Sequence, residues 1–149
     1  MDTEKSINLL NSFIIINNAR IKRYKNASKE AKQAYLKKVF ENFQITSQRC
    51  KSELKQEIIK LGGTPAKDRS NQGYFHSIWY YFLHKLIEKD LHDVIYSCVR
   101  NETIVIQSYY EGIYNNLECL SIQQQTMLNE QYLRLNVERD KMQSYRSAF

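Results

Sequence analysis

A few polar residues stand where a regular pattern of apolar residues predicts the interior of a helical protein. Each interrupts a stripe of apolar side chains spaced three and four positions apart, the spacing of one helix face. The four are Asn17, Ser47, Glu102 and Arg139. Because an unpaired buried charge is very costly, Glu102 and Arg139 need a partner or access to water. We therefore predict that these four residues form a polar layer in the core.

Polar residues on four facing helices can be the ligands of a di-metal centre. Such centres take a Glu from each of two helices and Glu-x-x-His from each of the other two, because positions i and i+3 share a face. The matching positions here are Ser47-x-x-Cys50 and Asn136-x-x-Arg139, with Glu102 as a lone carboxylate. A dication would meet one carboxylate and an arginine. We therefore interpret the site as degenerate and predict no metal and no other cofactor.

An internal cation is the alternative to a metal ion. Counting outward from the turn between the third and fourth predicted helices places Glu102 near Asn136, about one turn from Arg139. A long Arg side chain reaches that far. We hypothesise that Arg139 supplies the positive charge and forms a buried ion pair with Glu102.

The other reactive residue types form no recognisable constellation in the sequence. His76, His84 and His92 are eight positions apart, which is not a ligand spacing and favours exposed or interfacial histidines. Cys50 is interpreted as a small buried core residue, with a reactive thiol as the alternative. No nucleophile triad, phosphate loop or dinucleotide fingerprint is present. We predict no catalytic residue and no enzyme activity.

Composition indicates a single globular domain over residues 1–149, with 42% hydrophobic and 26% charged residues. The apolar stretch at 13–16 is too short for a signal peptide, and no run approaches the roughly 20 residues of a membrane span. The cysteines are three in number and far apart, which indicates free thiols in a reducing compartment. We expect a cytoplasmic protein without membrane contact.

The net charge of +6 is concentrated in one segment, opposed there only by Glu30. The basic residues are Arg20, Lys22, Arg23, Lys25, Lys29, Lys32, Lys37 and Lys38. We interpret this segment as a solvated helix–turn–helix tip. Binding of nucleic acid or phosphate is the disfavoured alternative.

Four long helical patterns and one short one organise these residues. The long helices are predicted at about 3–26, 28–61, from the N-cap Asp90 to about 115, and from Ser121 onward, where Ser121-x-x-Gln124 is a capping box. Gly62-Gly63 ends the second helix. The short helix, at about 74–88, would lie in a crossover between the second and third long helices. The predicted fold is all-α: an antiparallel, ferritin-like four-helix bundle.

The short helix is rich in aromatic residues. One of its faces would pack on the bundle, so Tyr80 and Tyr81 would point elsewhere. They are candidates for a self-association surface in a homo-oligomer, such as a dimer. Isolated surface tyrosines are the alternative.

The chain resembles the bacterial ferritin-like four-helix-bundle proteins of unknown function that are often described as stress-associated. The resemblance covers nearly the whole chain. It rests on residues 16–24 (INNARIKRY), residues 52–65 (SELKQEIIKLGGTP), Ile78-Trp79, and Asn101-Glu102-Thr103 leading to Tyr109. It implies a fold and no activity. Relative to that family, Val99 and Thr103 stand at positions expected to be acidic, and Arg139 stands where a histidine is expected.

Two functions from different classes remain. The first is a non-catalytic helical bundle acting through protein contacts, including self-association. The second is a ferritin-like metal-binding or redox protein that uses Glu102 with unusual neighbours such as Cys50.

Overall fold

The computed structural model describes residues 2–67 and 90–146, which form four α-helices and no strand. The helices are α1 (Thr3–Glu30), α2 (Ala34–Lys60), α3 (Leu91–Tyr114) and α4 (Ile122–Arg146), and a 3₁₀ turn, Leu117–Cys119, precedes α4. The all-helical class is confirmed for this part of the chain. The predicted short helix at 74–88 lies outside the described residues, as do Tyr80, Tyr81, His76 and His84.

The N-terminal caps predicted for α3 and α4 are confirmed, and Asp2 caps α1 in the same way. The carboxylates of Asp2 and Asp90 each accept a hydrogen bond from the amide three residues on, at 3.2 and 3.3 Å. At α4 the capping box is reciprocal: the Gln124 amide donates to Ser121 Oγ at 3.0 Å, and the Ser121 amide donates to Gln124 Oε1 at 2.9 Å. These bonds satisfy amides that a helix start otherwise leaves without a partner.

Gly62 and Gly63 end α2 as their sequence predicts. Gly62 has φ of 82°, a left-handed conformation that glycine adopts without steric cost. Its amide donates to the Ile59 carbonyl at 2.9 Å, and the Gly63 amide donates to the Ile58 carbonyl at 3.0 Å. This pair of bonds is the Schellman motif, which satisfies the last carbonyls of the helix.

The turn between α1 and α2 falls later than predicted. Ala27 and Ser28 were expected in the turn, but α1 continues through them to Glu30, and the helix breaks at residues 31–33. Ala27 is fully buried and packs with Tyr24 in the core. The apolar stripe therefore keeps the chain helical for one more turn.

The core consists of two apolar clusters at different heights along the helices. The first includes Tyr24, Phe40, Phe43, Ile95 and Met142. The second includes Leu10, Phe13, Leu54, Val105 and Leu128. Polar side chains lie between them on every helix.

Across the core, residue numbers rise along one helix as they fall along the helix that it contacts. Positions 17, 20 and 24 of α1 contact positions 109, 102 and 98 of α3. Positions 46, 53 and 57 of α2 contact positions 138, 131 and 124 of α4. This order brings the polar segments of all four helices to the same height.

Within residues 2–67 and 90–146, none of the helices combines the length and the apolarity that crossing a lipid bilayer requires.

Candidate functional site: a buried arginine network

Arg20 occupies the centre of the protein, and its side chain is completely buried. Asn17, Arg20, Tyr24 and Ala27 follow one another at spacings of three and four on α1, so they share one inward face. A guanidinium group has five N–H donors and no acceptor. Its burial therefore requires acceptors from several directions.

Those acceptors come from the three other helices. Arg20 Nε donates to both carboxylate oxygens of Glu102 at 2.9 and 3.1 Å, and Nη2 donates to Glu102 Oε1 at 2.6 Å. Nη2 also donates to Glu138 Oε1 at 2.8 Å. Nη1 donates to the Phe43 carbonyl and to Ser47 Oγ, both at 3.0 Å. We call Arg20, Glu102, Ser47, Glu138 and Tyr24 the arginine layer.

Aromatic rings enclose the guanidinium group. Its Cζ lies 5.2 Å from the centroid of the Tyr24 ring and 5.1 Å from that of Phe43. These distances are within the range of favourable cation–π interactions. The rings also exclude water, which strengthens the ion pair with Glu102.

Glu102 is fully buried and remains a carboxylate. Burial alone would raise its pKa, but the charge and hydrogen bonds of Arg20 outweigh that effect and hold the pKa below its usual value. Tyr24 Oη donates to Glu102 Oε1 at 2.6 Å, and burial raises the pKa of this phenol, so it stays protonated. Burial likewise opposes the charge of Arg20, but Glu102 raises the pKa of the guanidinium group overall.

Glu138 connects the arginine layer to the surface. Its side chain is 14% exposed, and its Oε2 accepts a hydrogen bond from Thr46 Oγ1 at 2.7 Å. Burial raises its pKa by more than Arg20 lowers it. The guanidinium group thus faces two carboxylates in different environments, one deeply buried and one near solvent.

A second polar layer, which we call the tyrosine layer, is centred on the phenol of Tyr109. Asn17 Nδ2 donates to Tyr109 Oη at 2.7 Å, and Tyr109 Oη donates to Gln131 Oε1 at 2.8 Å. Gln131 Nε2 donates to Glu53 Oε1 at 3.0 Å. Glu53 in turn forms a two-pronged ion pair with Arg134, at 2.8 and 3.1 Å. Hydrogen bonds therefore join all four helices a second time.

The thiols beside these layers are poor nucleophiles and poor metal ligands. Burial, assisted by the charge of Glu102, raises the pKa of Cys98 to about 12. Burial also raises the pKa of Cys50. Thiolates are the nucleophilic and metal-binding form, and these thiols are protonated at neutral pH.

The donor set does not fit a di-metal centre. Across the described ranges, no group of three or more His, Cys, Asp or Glu side chains converges as metal ligands. The carboxylates of both polar layers, Glu102, Glu138 and Glu53, are already bonded to a guanidinium cation. A dication placed beside Arg20 would be repelled by that charge.

The structure brings together some of the sequence-predicted residues and separates others. Asn17, Ser47 and Glu102 are all fully buried. Cys50 is also buried, and its carbonyl accepts from Gln131 Nε2 at 3.2 Å. Ser47 and Glu102 belong to the arginine layer, and Asn17 to the tyrosine layer.

The hypothesis that Arg139 pairs with Glu102 needs correction. Arg139 is 28% exposed and lies 3.5 Å from Asp140, at the surface. Asn136 accepts from Arg139 at 3.2 Å and donates to a carbonyl of its own helix. Arg20, not Arg139, holds Glu102.

The cause of this difference is the rotational phase of α4. Leu128, Leu135 and Met142 mark an apolar stripe on α4 that either Tyr132 and Arg139 or Gln131 and Glu138 can complete. The structure turns Gln131 and Glu138 inward. Both choices alternate three- and four-residue spacings. Apolar character alone favoured Tyr132, but Arg20 and Tyr109 need acceptors, which Glu138 and Gln131 supply.

Arg20 was predicted to belong to the exposed basic tip. In the structure Arg20 and Arg23 are both buried, while the lysines of that segment are exposed. The missed signal is its position between Asn17 and Tyr24 on the same helix face. Among the histidines, His92 is exposed.

Comparison with known proteins supplies a family but no activity. No curated protein matches the chain. The model of one family matches residues 5–115, a range that contains Arg20 and Glu102 but ends before α4. Its description is "Domain of unknown function (DUF2383)", and the chain belongs to this family.

Proposed function

We propose that this chain is a non-catalytic, ferritin-like helical bundle that acts through protein contacts, including self-association. The observation that carries the proposal is the buried guanidinium group of Arg20, bonded to acceptors on α2, α3 and α4. Ferritin-like carboxylate proteins use inward Glu side chains to hold metal cations between the helices. Here a covalently attached cation neutralises such carboxylates, so this core serves structure rather than metal chemistry.

The order of interhelical contacts supports the ferritin-like arrangement. Contacts of α1 with α3 and of α2 with α4 run in opposite residue orders. Since α1 and α2 are joined by a short turn, α2 and α3 would point the same way. In ferritin-like folds, a single long crossover joins two parallel helices of this kind.

A metal-binding or redox function is the alternative, and the chemistry of the donors weighs against it. Glu102 is engaged by Arg20 and Tyr24. Cys50 was the candidate second donor, but burial raises the pKa of its thiol. A metal would have to displace the guanidinium cation and deprotonate a thiol, and both steps cost free energy.

The surface supports a role in protein contacts. Large apolar or aromatic side chains are exposed on α3 and α4: Tyr96, Tyr110, Tyr114, Leu133 and Val137. The rings of Tyr110 and Tyr114 contact each other at a tilt, with centroids 4.7 Å apart. Tyrosine is enriched in protein–protein interfaces because it combines apolar area with a polar group.

The three cysteines are unpaired and buried. This supports a reducing compartment such as the cytoplasm as the place of action.

Elemental analysis tests the proposal. Protein purified without a chelator is expected to contain iron, manganese and zinc far below one equivalent per chain. Its melting temperature is expected to be the same with and without EDTA. A stoichiometric metal, or a melting temperature that falls on chelation, would overturn the proposal in favour of the metal-binding alternative.

A further inference from the structure

The outward face of α4 carries an ordered set of charged and apolar residues, which we call the α4 stripe. Its members are Glu130, Leu133, Val137 and Lys141, spaced by three, four and four positions. At 3.6 residues per turn these side chains lie within about 80° of one another around the helix. Leu133 is 60% exposed and Val137 is 67% exposed, and Glu130 and Lys141 are also exposed.

The α4 stripe borders an open groove between α2 and α4. The groove has a volume of about 550 Å³. Its α4 wall carries the apolar Leu133 and Val137 together with three charged residues, Glu130, Arg134 and Glu138. Its α2 wall carries Thr46 and Arg49. Ile45, the neighbour of Thr46 in the sequence of α2, is 59% exposed. The groove thus combines two exposed apolar side chains of α4 with charged side chains of both helices, a mixture that the surface of another helix can match.

The charges at the two ends of the α4 stripe are opposite in sign. Glu130 stands at one end and Lys141 at the other, eleven residues or about three turns apart. When such a stripe meets an antiparallel copy of itself, each negative end faces a positive end. A parallel copy would bring like charges together, which is unfavourable. The stripe is therefore complementary to itself in one orientation.

We propose that the α4 stripe is the interface of a two-fold symmetric homodimer in which α4 packs antiparallel against α4 of a second copy. Leu133 and Val137 of each copy enter the groove of the other. Glu130 of each copy pairs with Lys141 of the other, so the interface contains two equivalent ion pairs, as two-fold symmetry requires. This inference rests on the proposed role in protein contacts and names its surface and partner.

Charge reversal tests the orientation as well as the surface. The wild type is compared by sedimentation equilibrium with Glu130→Lys, Lys141→Glu and the double variant carrying both changes. Each single change creates two like-charge contacts and is expected to weaken dimerisation at least about tenfold. The double variant restores opposite charges and is expected to return to the wild-type dissociation constant. Lys25→Glu, at an exposed position on α1, is the control for the change in net charge.

A second pair of variants tests the apolar contact. Leu133→Asp and Val137→Asp are expected to yield monomers, because each places two carboxylates in the apolar centre of the interface. Circular dichroism checks that each variant retains its helical content. Both positions are exposed in the monomer, so folding is expected to be unaffected.

Several results would overturn the inference. They are a wild type that stays monomeric at its highest soluble concentration, single charge reversals that leave the dimer unchanged, and a double variant that is not rescued. A metal-free chain that dimerises through another face would overturn this inference and leave the proposed function intact. Stoichiometric metal would overturn the proposed function without affecting the sedimentation result.

Discussion

Replacing Arg20 with methionine tests the central ion pair. Methionine keeps an unbranched side chain but has no N–H donor. The change leaves Glu102 fully buried without its cation and removes the hydrogen bonds to Ser47 and to the Phe43 carbonyl. Removing one partner of a buried ion pair costs about 3–5 kcal/mol. We expect Arg20→Met to lose about that much unfolding free energy at neutral pH.

That loss is large for a single domain. Native proteins have total stabilities of about 5–15 kcal/mol. For a chain of this size, each kcal/mol corresponds to about 2–4 °C in melting temperature. The variant should therefore melt about 6–20 °C below the wild type, a difference that a thermal scan measures directly.

Lowering the pH should shrink the difference between the two proteins. In the wild type Arg20 holds the pKa of Glu102 below its unfolded value. The stability from this pair is therefore present above the unfolded pKa and lost as the pH falls through the folded pKa. In the variant, burial without Arg20 raises the pKa of Glu102 above the unfolded value. The variant therefore gains stability as the pH falls through that raised pKa towards the unfolded one.

Urea unfolding followed by circular dichroism, repeated over a series of pH values, provides the assay. Arg139→Met is the matched control, because Arg139 is 28% exposed and forms its ion pair, at 3.5 Å, with the exposed Asp140. Its loss should be below about 1 kcal/mol, as for surface ion pairs. Combining Arg20→Met with Glu102→Leu should recover much of the lost stability, since the fully buried carboxylate is removed and only Glu138, which is 14% exposed, is left without Arg20. The reasoning is refuted if Arg20→Met costs no more than the control, or if the double variant recovers nothing.

Three further predictions concern other features of the core and of the helix ends. Burial raises the pKa of Glu138 above its unfolded value, so the protein loses stability as the pH rises from the unfolded pKa to the folded pKa of this group. Glu138→Gln should remove that loss when the unfolding free energy is measured over a series of pH values. The same pH dependence in the variant would contradict this prediction. Cys98 is fully buried with a pKa of about 12, so a thiol reagent at neutral pH should leave it unlabelled until urea unfolds the protein, as mass spectrometry would show. Gly62 has φ of 82°, so Gly62→Ala should cost about 1–2 kcal/mol in urea unfolding and Gly62→Asn less; equal costs would argue against backbone strain.

The starts of α3 and α4 and the end of α2 could be predicted from sequence because they depend on neighbouring residues. Asp90 bonds to an amide three residues away, and so does Ser121. Gly62 needs only its own backbone freedom to adopt a left-handed conformation. Such signals do not depend on what packs against the helix, so reading them in the sequence is sufficient.

The turn after α1 was predicted too early because a core contact overrides the local pattern. In the sequence, Ala27 and Ser28 follow a polar segment and were assigned to the turn between the first two helices. Burial of Ala27 against Tyr24 keeps the helix going to Glu30. This information lies in the packing and not in the neighbouring residues.

In the polar core, too, the sequence determines some features and the packing of the helices determines others. From the sequence alone, the apolar stripes placed Asn17, Ser47 and Glu102 on inward faces and required that Glu102 find a compensating charge. Which arginine supplies it depends on the rotation of α1 and α4 about their axes, and Arg20 and Arg139 both fit a three-four spacing. The tertiary structure selects Arg20, because α1 brings its guanidinium group within hydrogen-bonding distance of acceptors on three other helices at once. A single helix face cannot reveal that arrangement, since the free energy of a buried charge depends on all the groups that surround it.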